Sequence, residues 1–174
     1  MFEEFKNAFQ RYNNGHVQLI IINLAVFVVM GVVMVITKIG GLESLWSVIH
    51  EQFSIPARFS EYITRPWTLL TYMFMHDLSG ILHILFNMLI MYWFGRLFVE
   101  YLGSDKLIAV YLLGGIAGGV AYLLAYNTIP YYVEQAQAFR IGMVGASASV
   151  NAIVVATATL VPNYTFFLLF IGPV

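Results

Sequence analysis

GILHILFNMLIMYWFGRLFVE, residues 80–100, holds no charged side chain before Arg96, and places a histidine and an asparagine four residues apart. A helix that crosses the hydrocarbon of a bilayer needs about 20 consecutive, mostly apolar residues. This stretch meets that need, so it reads as a membrane span running from near Gly80 to near Glu100. His83 and Asn87, at i and i+4, then lie on one face of it.

The rest of the chain agrees. Of its 174 residues 60% are hydrophobic and 10% charged, and mean hydropathy is +0.81. Soluble domains are closer to 45–50% apolar and about 25% charged, so this is the composition of an all-α protein living in a bilayer, with room for four or five spans and no second, soluble domain. A net charge of −1 gives no footprint for nucleic acid. With no cysteine, disulfides, thiolate zinc sites and cysteine nucleophiles are excluded.

A first span runs from about Val17 to Ile36 and is broken at Gly40-Gly41. The segment before it, with Phe2, Phe5 and Phe9 near helical spacing, is amphipathic. It is not a signal peptide, because the apolar run that follows is too long and lacks a small-residue cleavage site. Residues 42–66 mix Trp46, Pro56, Arg58, Glu61 and Arg65, which suits an interfacial loop with a short amphipathic helix. LGSDK, residues 102–106, is a turn in which Gly103 can take positive φ and Ser104 or Asp105 can cap the next helix.

A third span covers Leu107 to Tyr126 and contains GGIAGG, whose pairs Gly114/Gly118 and Gly115/Gly119 suit close helix packing. Asn127 to Ile141 reads as a polar loop, and a fourth span opens at Gly145-Ala146-Ser147 and runs to Val161. The last eleven residues, YTFFLLFIGPV, are apolar but too few to cross a membrane as a helix. Basic residues do not orient the bundle. Lys6, Arg11, Arg96 and Lys106 on one side oppose Lys38, Arg58, Arg65 and Arg140 on the other.

Polar groups at membrane depth are costly and need a reason. His83 and Asn87 can donate hydrogen bonds toward one point, either as a clamp between helices or toward an oxyanion. Ser147 follows Gly145 where a loop enters a helix, beside unpaired N–H groups and partial positive charge. It can be a nucleophile whose oxyanion meets those amides, or one member of a small-residue packing patch. His76 and Asp77 fall at the mouth of the 80–100 helix, where a solvated end is expected.

Together these residues resemble the rhomboid family of intramembrane serine proteases. The matching stretch is RPWTLLTYMFMHDLSGILHILFNMLIMYWFGRLFVEYLGSDKL, residues 65–107, followed by the serine of GASAS. The resemblance implies a polytopic helical bundle, with about four of an expected six transmembrane helices in this chain. It implies that Ser147 attacks the scissile carbonyl, and that His83 and Asn87 donate to the oxyanion with the Ser147 amide. Trp67 would belong to a loop partly in the membrane, Glu100 would help fix the turn after its helix, and Gly145 would belong to the GxS motif. The family's usual topology makes residues 1–16 a cytoplasmic segment and 17–174 the transmembrane domain, incomplete at its C-terminus.

Three positions depart from the pattern. The family's base is a histidine on a late helix, whereas His16, His50, His76 and His83 all precede Ser147. The abrupt FLLFIGPV ending leads us to expect a chain cut before two further spans rather than an inactive relative, and residues 1–174 alone are expected to be inactive. Ala148 stands where the family often has glycine, and Asn151 where it often has tyrosine. The expected function is a serine endopeptidase acting on single-span membrane proteins near the bilayer surface, with no metal or cofactor. The alternative is a non-catalytic rhomboid-like protein that binds membrane clients. A transporter or channel is disfavoured, because no charge lies clearly mid-span. The expected location is a bacterial cytoplasmic membrane.

Overall fold

The computed structural model describes residues 12–139 and 142–165, and the backbone of two short strands, Phe167–Leu168 and Gly172–Pro173. The amphipathic N-terminal segment and Arg140 fall outside the described residues. Helix α1 (Gly15–Ile39) leads to α2 (Glu43–Phe53), strand β1 (Ile55–Pro56) and the single turns α3 (Phe59–Tyr62) and α4 (Thr68–Thr71). Then follow α5 (Ile81–Leu102), α6 (Ser104–Thr128), α7 (Pro130–Ala138), strand β2 (Gly142–Met143) and α8 (Ser147–Leu160). Phe167–Leu168 and Gly172–Pro173 form the antiparallel pair β3 and β4.

Three helices, α1, α5 and α6, are long and apolar enough to cross a membrane. All four expected spans are helical, but α8 has only 14 residues. At 1.5 Å per residue it rises about 21 Å, short of a hydrocarbon layer roughly 30 Å thick. Exposed Val28, Val29, Val32, Val35 and Ile36 give α1 an apolar outer face. In water such a face would be a liability; in lipid it costs nothing.

Helix α8 packs most extensively on α6 and next on α5. The GGIAGG glycines make that possible on two faces. A Cβ on Gly114 or Gly118 would run into Ala152 or Ala148 of α8, and one on Gly115 or Gly119 would strike Met73 or Leu69. Ala148, the departure from family glycine, fills the space over Gly118 with its methyl. The core between the helices includes Met73, Met91, Leu107, Tyr111 and Ile153. Tyr111 and Asn23 satisfy each other and the backbone there, as most buried polar groups do. Tyr111 Oη donates to the Met73 carbonyl at 2.8 Å, and Asn23 Nδ2 donates to Tyr111 Oη at 3.1 Å.

Two expectations change. The 127–141 stretch is not a plain loop, since α7 occupies Pro130–Ala138. Proline begins this helix at its first position, where no N–H is needed. Contacts with the α2–α3 region then hold it. Arg58 Nε and Nη2 donate to the carbonyls of Ala136 and Gln137 at 2.8 and 3.1 Å, while Asn127 Nδ2 ties the end of α6 to the same region through the Ala57 carbonyl at 2.8 Å. At the α5–α6 turn Gly103 does take positive φ, +82°. Ser104 does not cap its own helix, however; its Oγ accepts from the backbone N–H of Gly15 at 2.9 Å and ties α1 to the turn.

Candidate active site

Strand β1 pairs antiparallel with β2, setting Ile55 opposite Met143 and Pro56 opposite Gly142. That pairing anchors the segment leading into α8. The next turn is held by the protein interior: the Gly145 N–H donates to the Tyr72 carbonyl at 3.0 Å. Gly145 has φ +132°, a conformation that side chains strain. A Cβ built there would stand 3.3 Å from Cε1 of His83 and 3.9 Å from Oγ of Ser147. The imidazole of α5 and the hydroxyl of α8 thus flank one small volume, and only glycine leaves it open.

Ser147 is the first residue of α8 and is exposed, and its Oγ makes no hydrogen bond among the described residues. The unpaired amides of the first helical turn lie around it. His83, on the first turn of α5, is also exposed. Asn87 is buried one turn further on, and Nδ2 donates to the His83 carbonyl at 2.8 Å. That bond uses one of its two amide hydrogens. Asn151, one turn after the serine, is exposed.

Sequence reasoning misses His76. It belongs on the pattern alone to a solvated helix mouth, yet it is 1% exposed, while its neighbour Asp77 is exposed. His76 Nε2 accepts from the Ala146 N–H at 3.5 Å, and its ring meets the His83 ring edge-on at 5.9 Å. Burial, with His83 as a second cause, pushes its pKa down to about 4, against a weak pull from the Phe74 carbonyl. The ring is therefore neutral at neutral pH and free to accept from the turn that carries Ser147. No local signal near His76 announces this, because the partner is seventy residues away.

Trp67 Nε1 donates to the Gln52 carbonyl at 2.9 Å and joins the loop to the end of α2. Glu100 is exposed and makes no bond that holds the α5–α6 turn among the described residues; Gly103 and Ser104 hold it instead. Arg65, legible in the sequence only as one charge of the interfacial loop, has a bracing role that the structure adds. It pairs with Glu51 at 3.5 Å and Glu61 at 3.4 Å, bracing the same loop. Among the described residues no three His, Asp or Glu side chains converge as metal ligands.

Known proteins match the stretch of chain that carries these residues. Residues 64–173 match the family model of the Rhomboid domain. The chain is also 32% identical over 145 residues to the RHOMBOID-like protein 12, mitochondrial, of Arabidopsis thaliana. That alignment covers 78% of this chain and 43% of the relative, so the chain spans less than half the relative's length. No solved structure matches it significantly. The matched region runs from the loop before Trp67 through His83 and Asn87 to Ser147 and beyond, and the chain belongs to the rhomboid family.

Proposed function

We propose that this integral membrane protein is an intramembrane serine endopeptidase cleaving single-span membrane proteins near the membrane surface. The observation that carries the reading is the Gly145 turn. It brings the exposed Ser147 hydroxyl and the His83 imidazole to one small volume at the N-terminus of α8. Ser147 Oγ adds to the scissile carbonyl carbon. In this reading the resulting oxyanion is met by the Ser147 amide, His83 and the free N–H of Asn87, donors of the kind that stabilise such a charge. The substrate must enter unwound, since a helical backbone in lipid is fully hydrogen-bonded and offers no accessible carbonyl.

The proton of Ser147 needs a base. His16 lies near Gly95 at the far end of α5, His50 on α2, and His76 against the Ala146 amide. With His83 assigned to the oxyanion, the reading requires a histidine outside these four. This requirement favours one second reading, a non-catalytic rhomboid-like protein that binds membrane clients. The relative is named mitochondrial, so a bacterial membrane draws no support from it, and the compartment is left at membrane.

The test is reconstitution of the protein from its full reading frame with a single-span reporter, beside Ser147→Ala. Cleavage lost only in the variant supports the protease. Equal cleavage by both removes Ser147 as nucleophile, and no cleavage by either, with the reporter still co-purifying, selects the client-binding reading.

A further inference from the structure

A cavity of about 550 Å³ opens between the last turns of α1, helix α2, the loop before α5 and Gly142 of β2. None of Ser147, His83, Asn87 or Gly145 lines it. Its depth follows from the sequence. Lys38 belongs to the final turn of a 25-residue span, where a long cation reaches the headgroup layer. Trp46 on α2 contributes an indole, the ring that prefers that layer. Met34, one turn below Lys38, gives the cavity an apolar floor toward the hydrocarbon.

The charges on its walls sort into a pattern. Glu51 pairs with Arg65 at 3.5 Å and Glu61 with Arg65 and Arg58, each at 3.4 Å, so these two carboxylates are balanced by two guanidiniums. What is left is Lys38 on α1 and Asp77 on the loop before α5. Neither takes part in an ion pair among the described residues. Asp77 accepts only from the Ser79 N–H and hydroxyl, both at 2.8 Å, which leaves lone pairs of its carboxylate open. The Trp46 and His50 rings lie together on the same wall, 5.7 Å apart.

We propose that this cavity binds the headgroup of a phospholipid bearing a phosphate and a primary ammonium, with Lys38 on the phosphate and Asp77 on the ammonium. One fixed cation and one fixed anion on separate elements suit a zwitterion better than any singly charged ligand. A purely anionic headgroup would satisfy Lys38 but meet Asp77 as a like charge. A quaternary ammonium could lie against Trp46, yet it has no N–H to give the carboxylate. A primary ammonium can do both. The volume falls within the roughly 300–1,000 Å³ of small-ligand sites, and the apolar floor receives the start of the acyl chains.

The experiment reads lipid rather than cleavage, so its failure leaves the proposed protease untouched. The protein in detergent is delipidated and titrated with phosphatidylethanolamine, phosphatidylcholine or phosphatidylglycerol, and retained lipid is counted by native mass spectrometry. Glycerophosphoethanolamine and inorganic phosphate serve as soluble competitors. Phosphatidylethanolamine should bind about tenfold more tightly than either other lipid, the loss of one charge-assisted contact being roughly that factor. Lys38→Ala and Asp77→Asn should each remove most of that preference, and glycerophosphoethanolamine should compete where inorganic phosphate does not. Lys38 is exposed, and the side-chain amide introduced by Asp77→Asn keeps an oxygen for Ser79, so both variants should fold; circular dichroism checks this. Equal retention of the three lipids, an undiminished preference in both variants, or equal competition by inorganic phosphate overturns the proposal.

Discussion

The backbone N–H of Ala146 points at Nε2 of His76, 3.5 Å away, across seventy residues of sequence. Through this contact a buried imidazole helps hold the turn from which Ser147 enters α8. The acceptor exists only while the ring is neutral, so the contact is sensitive to pH.

Burial, then His83, lowers the folded pKa of His76 from 6.5 to about 4. An unfolded chain therefore binds this proton more readily than the native one, and stability must fall as pH drops through that window. Unfolding in mixed micelles should show full stability above about pH 6.5 and a decline toward pH 4. His76→Gln keeps an acceptor for Ala146 but cannot titrate, so its profile should be flatter over the same range.

Asn87 distinguishes an oxyanion donor from a helix clamp. In the protease reading Asn87→Ala should lower turnover by roughly 10²–10³, the usual effect of removing one such donor, with little change in KM. A loss of about 0.6–2 kcal/mol in stability at unchanged turnover would be the signature of a clamp. Kinetics and unfolding on the same preparation separate the two.

Gly145→Ala should damage both fold and site. Its φ of +132° is strained for alanine, and the new methyl would come within 3.3 Å of His83. A cost of about 1–3 kcal/mol is expected from the backbone alone. Denaturant midpoints measure that cost, and a serine-reactive probe should label the variant more slowly than the parent.

Gly118→Leu should part α6 from α8. The glycine lies against the methyl of Ala148, and a larger side chain has no place to go. Overpacking of this kind costs about 1–3 kcal/mol. Thermal unfolding checks it, and adding Ala148→Gly should recover part of the loss.

Arg58→Ala should loosen α7 and leave the spans alone. Two carbonyls at the end of α7 would lose their donor. Hydrogen exchange should speed up in residues 130–138 and stay unchanged in α5 and α6.

The spans around His83, Tyr111 and Val28 were legible because a bilayer demands an apolar run of fixed length, a property of local sequence. The i, i+4 geometry of His83 and Asn87 and the helix-opening position of Ser147 were legible for a similar reason, since helical periodicity is local. Helix α7 was not, because PYYVEQAQA carries no apolar periodicity and its helix rests on Arg58 from elsewhere in the chain. The burial of His76, the shared volume of Gly145, His83 and Ser147, and the placing of Lys38 and Asp77 around one cavity emerge only when the helices pack. Each depends on which side chain from a distant segment fills the space opposite, and local periodicity holds no record of that.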